Sequence, residues 1–227
     1  MVCDLPFPGV INLSITGSTM LFSLALLAAC VDNAPKFQGT KMSPFFPMDG
    51  ERQAEYVNED VDGTPWQLFV EKIEPVERVD EEDVVTFEWS RDDTAEIVGA
   101  VKWSSSSGKG IKIHAYAVGV DDFITFDTPV NVTDDDDLML RGESVTTETN
   151  GYTFTATLVG FEDCPVQWGI EWEDCAHITL DDGDGDDAAG PIFSGDYWLV
   201  QRYGPAWMQL TGFEEKWNLA HYDWSGE

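Results

Sequence analysis

The run Asp181-Asp182-Gly183-Asp184-Gly185-Asp186-Asp187 has residue types and spacing that could do chemistry. Asp182, Asp184 and Asp186 alternate, as do the first three carboxylate ligands of a twelve-residue calcium loop. Hard oxygen donors on a glycine-rich turn suit Ca²⁺. The pattern then departs. Asp187 stands where such a loop has its sharp-turn Gly, and Phe193 where a bidentate Glu closes the shell. A solvated acidic turn and a calcium loop of another kind both fit these residues. Asp134 to Asp137 carries the same ambiguity with less pattern. Ca²⁺ is thus the single cofactor the residues allow, and otherwise none is expected.

Candidates for catalysis are sparser. His114, His177 and His221 lie far apart, and neither HExxH nor GxSxG occurs. Glu171 and Glu173 could serve as acid and base in glycoside hydrolysis, which depends on a carboxylate separation of about 5–10 Å in a cleft. In a chain with 43 acidic residues such neighbours arise from composition alone. Nine tryptophans (Trp66, Trp89, Trp103, Trp168, Trp172, Trp198, Trp207, Trp217 and Trp224) can anchor a β core, or form a flat row that stacks on sugar rings. No catalytic residue is nominated. The expectation is a non-enzyme, with a carbohydrate-binding β-sandwich, Ca²⁺-assisted or not, and a secreted hydrolase as alternatives.

Charge narrows the partners. The 227-residue chain carries 43 acidic against 12 basic residues, a formal net charge of −31. Such a field repels phosphate backbones and anionic headgroups, so nucleic acid is not an expected partner. With 43% hydrophobic and 12% aromatic residues the chain has material for one substantial core.

Near the start, "MLFSLALLAACVDN" places an apolar run of about nine residues, Leu21 to Ala29, before Cys30. Spanning a bilayer takes roughly 20 residues. The length suits the apolar stretch of a secretory signal. Leu27-Ala28-Ala29-Cys30 resembles the lipobox of bacterial lipoproteins. That resemblance implies cleavage before Cys30 and a lipid on its thiol, with membrane attachment through the anchor. Val31 rather than Asp follows the Cys, which in enterobacterial lipoproteins is compatible with export to the outer membrane. No Lys or Arg precedes Lys36, a departure from the usual positive leader, and an uncleaved apolar N-terminus is the other reading. Under the lipoprotein reading Cys3 leaves with the leader and Cys30 is acylated. Cys164 and Cys175 then remain as an even pair in an oxidising envelope, with ten residues between them. That spacing suits a bridge across a hairpin or loop, worth about 2–3 kcal/mol in the chain-entropy model. Two free thiols are the alternative. A metal site would need more ligands than His177 near by.

The elements that must position these residues are strands. Residues 30–44 read as a lipidated Cys and a polar tether, punctuated by Pro35, Gly39 and Pro44. Beyond it, "TPWQLFVEKI", "DVVTFEWS" and "AEIVGAVKWS" are β-branched and aromatic. "SSSSGKG" reads as a turn. "IKIHAYAVGV" alternates, with Ile111, Ile113, Ala115 and Ala117 on one face and Lys112, His114 and Tyr116 on the other. Asn150-Gly151 between two β-rich runs predicts a type I′ hairpin, with Tyr152, Phe154, Ala156 and Leu158 sharing a face. Further strands are expected at 176–180, 195–203, 205–210 and 217–222. Residues 71–83 allow one short helix, limited by Pro75.

The fold class expected is all-β: a single antiparallel domain over residues 45–227, as a sandwich or a curved, partly closed barrel, after a signal segment at 1–29. "SPFFPMDGERQAEYVNED" resembles the YFPL-x-x-G-x-x-W-x-Y opening of bacterial envelope lipoproteins of the deltaproteobacterial type. Phe46-Pro47-Met48, Gly50 and Tyr56 match, and Ala54 stands where that opening has Trp. The segments "VGFEDCPVQW" and "DCAHITLDDG" resemble parts of related proteins. The resemblance implies an envelope location and a β-rich body, and no activity. The functional expectation is a lipid-anchored outer-membrane protein with a structural or binding role, its partner a polysaccharide or another envelope protein.

Overall fold

A computed structural model describes residues 39–48, 51–58, 67–134, 136–165, 174–183, 193–211, 213 and 216–225, with the backbone alone at 51, 52, 58 and 220–225. The elements in chain order are β1 (Thr40–Lys41), a single 3-10 turn (Ser43–Phe45), β2 (Glu51–Asn58), β3 (Gln67–Val79), β4 (Glu82–Arg91), β5 (Ile97–Ser106), β6 (Gly110–Val118) and β7 (Ile124–Asn131). They continue with β8 (Leu138–Met139), β9 (Ser144–Thr149), β10 (Tyr152–Glu162), β11 (Cys175–Asp181), β12 (Gly195–Val200), β13 (Gly204–Leu210) and β14 (Lys216–Ser225).

Twelve of these strands form one antiparallel sheet in the order β7-β6-β5-β4-β3-β2-β14-β13-β12-β11-β10-β9, and β1 and β8 pair separately. The sheet is two up-and-down meanders, β2–β7 and β9–β14, joined where β2 pairs with β14 from Glu51↔Ser225 to Asn58↔Trp217. At the far side it curls until β7 meets β9. There the backbone of one strand bonds to the side chains of the other. The amides of Thr128 and Asn131 donate to the hydroxyls of Thr149 (3.1 Å) and Thr147 (3.0 Å). Asn150 adds two more links, accepting from the Asp127 amide (2.9 Å) and donating to the Thr125 carbonyl (2.9 Å). The result is a nearly closed barrel, the curved form of the two architectures expected.

Alternation explains the core. On β10, Phe154, Ala156 and Leu158 are at most 1% exposed, while Thr153 and Val159 face outward. Behind the β7/β9 seam Phe126, Phe154, Phe193 and Tyr116 interlock, with the Phe126 and Phe193 rings perpendicular at 6.0 Å and Phe126 and Phe154 edge-on at 5.4 Å. Edge-to-face packing of this kind adds to the burial of each ring. Phe193, considered above only as a failed ligand position, is fully buried here.

Turn chemistry agrees with the sequence at Asn150-Gly151, where φ values of 51° and 86° and the pair Thr149↔Tyr152 make a two-residue type I′ hairpin. It disagrees at 71–83. No helix forms there, because β3 runs through Pro75 at a bulge and a second two-residue turn, Asp80-Glu81, takes φ values of 48° and 68° before β4. A bulge accommodates the missing proline donor. The N-terminal side of the body also differs. Met42 is fully buried and β1 pairs with β8, so residues 39–44 belong to the packed body rather than to a tether. The signal segment, Cys30 and the rest of the tether lie outside the described residues.

Candidate functional site

At one end of the barrel the β3–β4 turn, the β5–β6 hairpin and the β12–β13 turn converge around the segment Ser43–Met48. Between them runs a groove of about 1020 Å³. Its polar wall is the serine row Ser104–Ser107, read from sequence only as a turn, with Lys72, Lys109 and Arg202 alongside Glu81, Glu82 and Asp83. The hairpin that carries the serines depends on Gly110, whose φ is 74°. A Cβ there would sit 2.5 Å from the Asp134 carbonyl oxygen.

Beside the groove lies an apolar pocket of about 60 Å³, lined among others by Ala54, Val70, Trp89, Trp103 and Met208. Phe46 and Pro47 line both spaces, and the Phe46 ring stacks on Trp103 at 4.5 Å. Residues 201–205 run from the groove into the pocket in the same way. Tyr56 and Tyr197 also face the pocket; the Tyr56 hydroxyl donates to the Pro205 carbonyl at 3.0 Å and the Tyr197 hydroxyl to the Phe193 carbonyl. Complete burial, with Tyr56 near by, pushes the Tyr197 phenol far up, so it stays a neutral donor.

Ser104 reaches into a buried network. Its hydroxyl donates to Glu82 Oε2 (2.7 Å), and Lys112 Nζ meets Glu82 Oε1 at 2.8 Å. His114 Nε2 lies 2.8 Å from the Ser104 hydroxyl oxygen. With the serine proton committed to Glu82, the imidazole must be the donor. Burial alone would raise the Glu82 carboxyl, but the bonds from Lys112 and Ser104 outweigh it and hold it below its ordinary value. Burial pushes His114 down, against the pull of the Glu82 charge. A serine, a histidine and a carboxylate therefore meet here in the wrong order for nucleophilic catalysis. Donors converge on the acid, and no base addresses the hydroxyl. The strand alternation places His114 on a polar face, yet it is only 8% exposed, because β5–β6 and β6–β7 both shift register beside it.

His177, on β11, stacks on its cross-strand partner Trp198 with ring centroids 3.7 Å apart. Its Nε2 faces Asp196 and its Nδ1 faces Glu162, each at 2.9 Å, and Trp198 Nε1 donates to the same Glu162 oxygen. Close by, Cys164 and Cys175 are paired as a disulfide, their Cα atoms 5.5 Å apart. Cys175 is buried beneath Val200 and Ala206.

Asp182 is 4% exposed and its charge reaches Tyr116, whose phenol burial and then Tyr152 raise, so it is turned toward the barrel wall. Asp184, Asp186, Glu171, Glu173 and the side chain of His221 lie outside the described residues. Asp137, in the second acidic run, is fully buried and takes bonds from the Ser43 amide (2.7 Å) and hydroxyl (2.5 Å). It fastens the groove-lining segment to the β7–β8 connection. Among the described residues no group of three or more His, Cys, Asp or Glu is placed to hold a metal ion, and no helix is long and apolar enough to cross a membrane. Trp89, Trp103, Trp207 and Trp217 are at most 5% exposed and serve the core; Trp198 is half-buried under His177, and Trp66, Trp168, Trp172 and the Trp224 side chain are not described.

Sequence reading missed Arg202, Lys72 and Lys109 altogether. The signal was the "SSSSGKG" run, which gathers hydroxyls and a lysine in a chain poor in cations. No family model, curated protein or solved structure matches this chain.

Proposed function

We propose that this protein is a lipid-anchored protein of the bacterial envelope, attached through Cys30 to the outer membrane, with a non-enzymatic binding role centred on the barrel-end groove and pocket. The observation that carries the binding role is the adjacency of the two spaces, which share a wall. A polar groove and an aromatic-lined pocket share Phe46 and Pro47 at one barrel mouth, the usual position for a ligand in a small β-barrel. Ala54 lines the pocket at the position where the resembled opening has Trp, and its small side chain leaves space that an indole would fill. The direction of the Ser104 network, toward Glu82, supports binding over hydrolysis.

Two measurements test the reading. Intact-mass analysis of the membrane fraction is expected to show a chain beginning at an acylated Cys30, and a chain that retains its leader without acyl groups would sink the anchoring. N-phenyl-1-naphthylamine, an uncharged fluorescent probe, is expected to bind saturably to the folded protein and to lose affinity in Ala54→Leu and more so in Ala54→Trp. No saturable signal would remove the pocket from the proposal.

A further inference from the structure

The cations of this chain are unevenly used. With a net charge of −31 and 12 Lys plus Arg, almost any basic side chain should find a carboxylate. Several do: Lys112 meets Glu82 at 2.8 Å, Arg78 meets Asp83 at 3.5 Å, and Lys72 meets Glu74 at 3.3 Å. Two that line the groove, Lys109 and Arg202, do not among the described residues. There Lys109 Nζ bonds to the Asp80 carbonyl (3.2 Å), and beside the groove Lys41 Nζ bonds to the Ser107 hydroxyl (3.1 Å). The Arg202 amide donates to the Pro44 carbonyl (2.7 Å), and among the described residues no carboxylate lies within ion-pair distance of its guanidinium. On the other side of the account, Glu82 and Asp83 already have cationic partners, which leaves Glu81 as the groove-lining acid without one among the described residues. The groove lining balances three cations against three carboxylates on a strongly negative molecule, and once the ion pairs are set aside Lys109 and Arg202 stand against Glu81 among the described residues.

We propose that this groove is an oxyanion site and that, with the adjoining pocket, it takes a small amphiphilic anion: a carboxylate, sulfonate or phosphate on a short apolar or aromatic body. This rests on the barrel-end binding role proposed above. Arg202 supplies a planar fork of donors, Lys109 a point charge, and Ser106 and Ser107 hydroxyl protons, the donor set that oxyanions favour. Grouped cations in a walled groove focus potential on an incoming anion despite the unfavourable net charge. The pocket sets the body. Its roughly 60 Å³ holds about four water-sized spheres, enough for the edge of one ring or a short alkyl group and too little for a full acyl chain.

The test compares 1-anilinonaphthalene-8-sulfonate with N-phenyl-1-naphthylamine, nearly the same rings with and without a sulfonate, on the full folded chain. The sulfonate is expected to bind at least tenfold more tightly, with an affinity that falls as salt rises. The double variant Arg202→Gln/Lys109→Gln is expected to weaken the sulfonate by tenfold or more and the uncharged probe by less than twofold. Arg202→Lys, which keeps the charge, is expected to stay within threefold of the parent, and an unchanged melting temperature in each variant shows that the fold is intact. Equal binding of the two probes, or a sulfonate affinity indifferent to the double variant, overturns the oxyanion site while leaving the pocket standing. Binding of neither probe overturns both proposals. Displacement of the sulfonate by phenyl phosphate points to a soluble ligand and displacement by dihexanoylphosphatidate to a lipid; displacement by neither overturns the ligand class.

Discussion

The two meanders meet twice, and the two seams are built differently. Between β2 and β14 the strands form a backbone ladder from Glu51↔Ser225 to Asn58↔Trp217, with one shift between Leu219 and His221. Between β7 and β9 the strand edge is satisfied by Thr147, Thr149 and Asn150 side chains. The physical reason lies partly in β7, where Pro129 has no amide to give and suits an edge rather than a ladder. Exposed strand edges template aggregation. Here hydroxyls and an amide cap one edge, and the interlocked Phe126, Phe154 and Phe193 hold the cap in place from inside. Rings pack behind both seams; what differs is that the ladder seam is closed by backbone pairs and the other by the few side-chain polar atoms that complete it.

Breaking the ladder seam should cost most. Trp217 is fully buried on β14 and meets the Phe213 ring edge-on at 6.0 Å, so Trp217→Ala is expected to lower stability by about 3–5 kcal/mol in urea unfolding. A loss below about 1 kcal/mol would show that the ladder does not depend on its core. The side-chain seam has a gentler test. Thr147→Val with Thr149→Val keeps the shape and removes both acceptors. Thr128 is exposed and Asn131 half-buried, so water can reach the stranded amides and the pair is expected to cost about 1–3 kcal/mol together. Hydrogen exchange at those two amides should speed up while exchange in β2 and β14 stays slow. Unchanged exchange would mean that water or another acceptor closes the seam.

Acid should act on the wall between the seams, with a smaller effect. Burial holds His114 below its ordinary 6.5, and the Lys112 and Ser104 bonds hold Glu82 below its ordinary 4.5. In both cases the unfolded chain takes up protons more readily than the folded one. The stability each group contributes is therefore complete above its ordinary value and is lost as pH falls toward the folded value. The melting temperature is expected to decline below about pH 6.5, with a shallower decline in that first window for His114→Gln. Identical pH profiles for variant and parent would assign the acid response elsewhere.

Legibility followed the same division. β10 and the Asn150-Gly151 turn could be read directly, because Tyr152, Phe154, Ala156 and Leu158 alternate and the turn pair has one strongly favoured conformation. β7 was missed: Asp127 and Pro129 interrupt its pattern, and its edge is capped by residues about 20 positions away. β2 was seen as a resemblance and not as a strand, since its partner β14 lies at the other end of the chain. Asp80-Glu81 carries no glycine to announce a type I′ turn, so residues 71–83 looked open to a helix. The groove was illegible for a related reason. Lys72, the Ser106–Lys109 hairpin and Arg202 lie far apart in sequence, and an ionic account can be drawn up only once neighbours are known.

By itself the sequence determined a β-built, strongly acidic chain whose apolar alternation faces one core and whose cysteine pair is spaced for a short bridge. Those properties follow from period-two burial and from counting charges, which need no knowledge of distant neighbours. Only the tertiary structure decided how the sheet closes, which way the Glu82–Ser104–His114 protons run, and that Lys109 and Arg202 line one groove at a mouth of the barrel. Each of these depends on which side chains the curl of twelve strands brings within about 3 Å of one another, the range at which hydrogen bonds and ion pairs act.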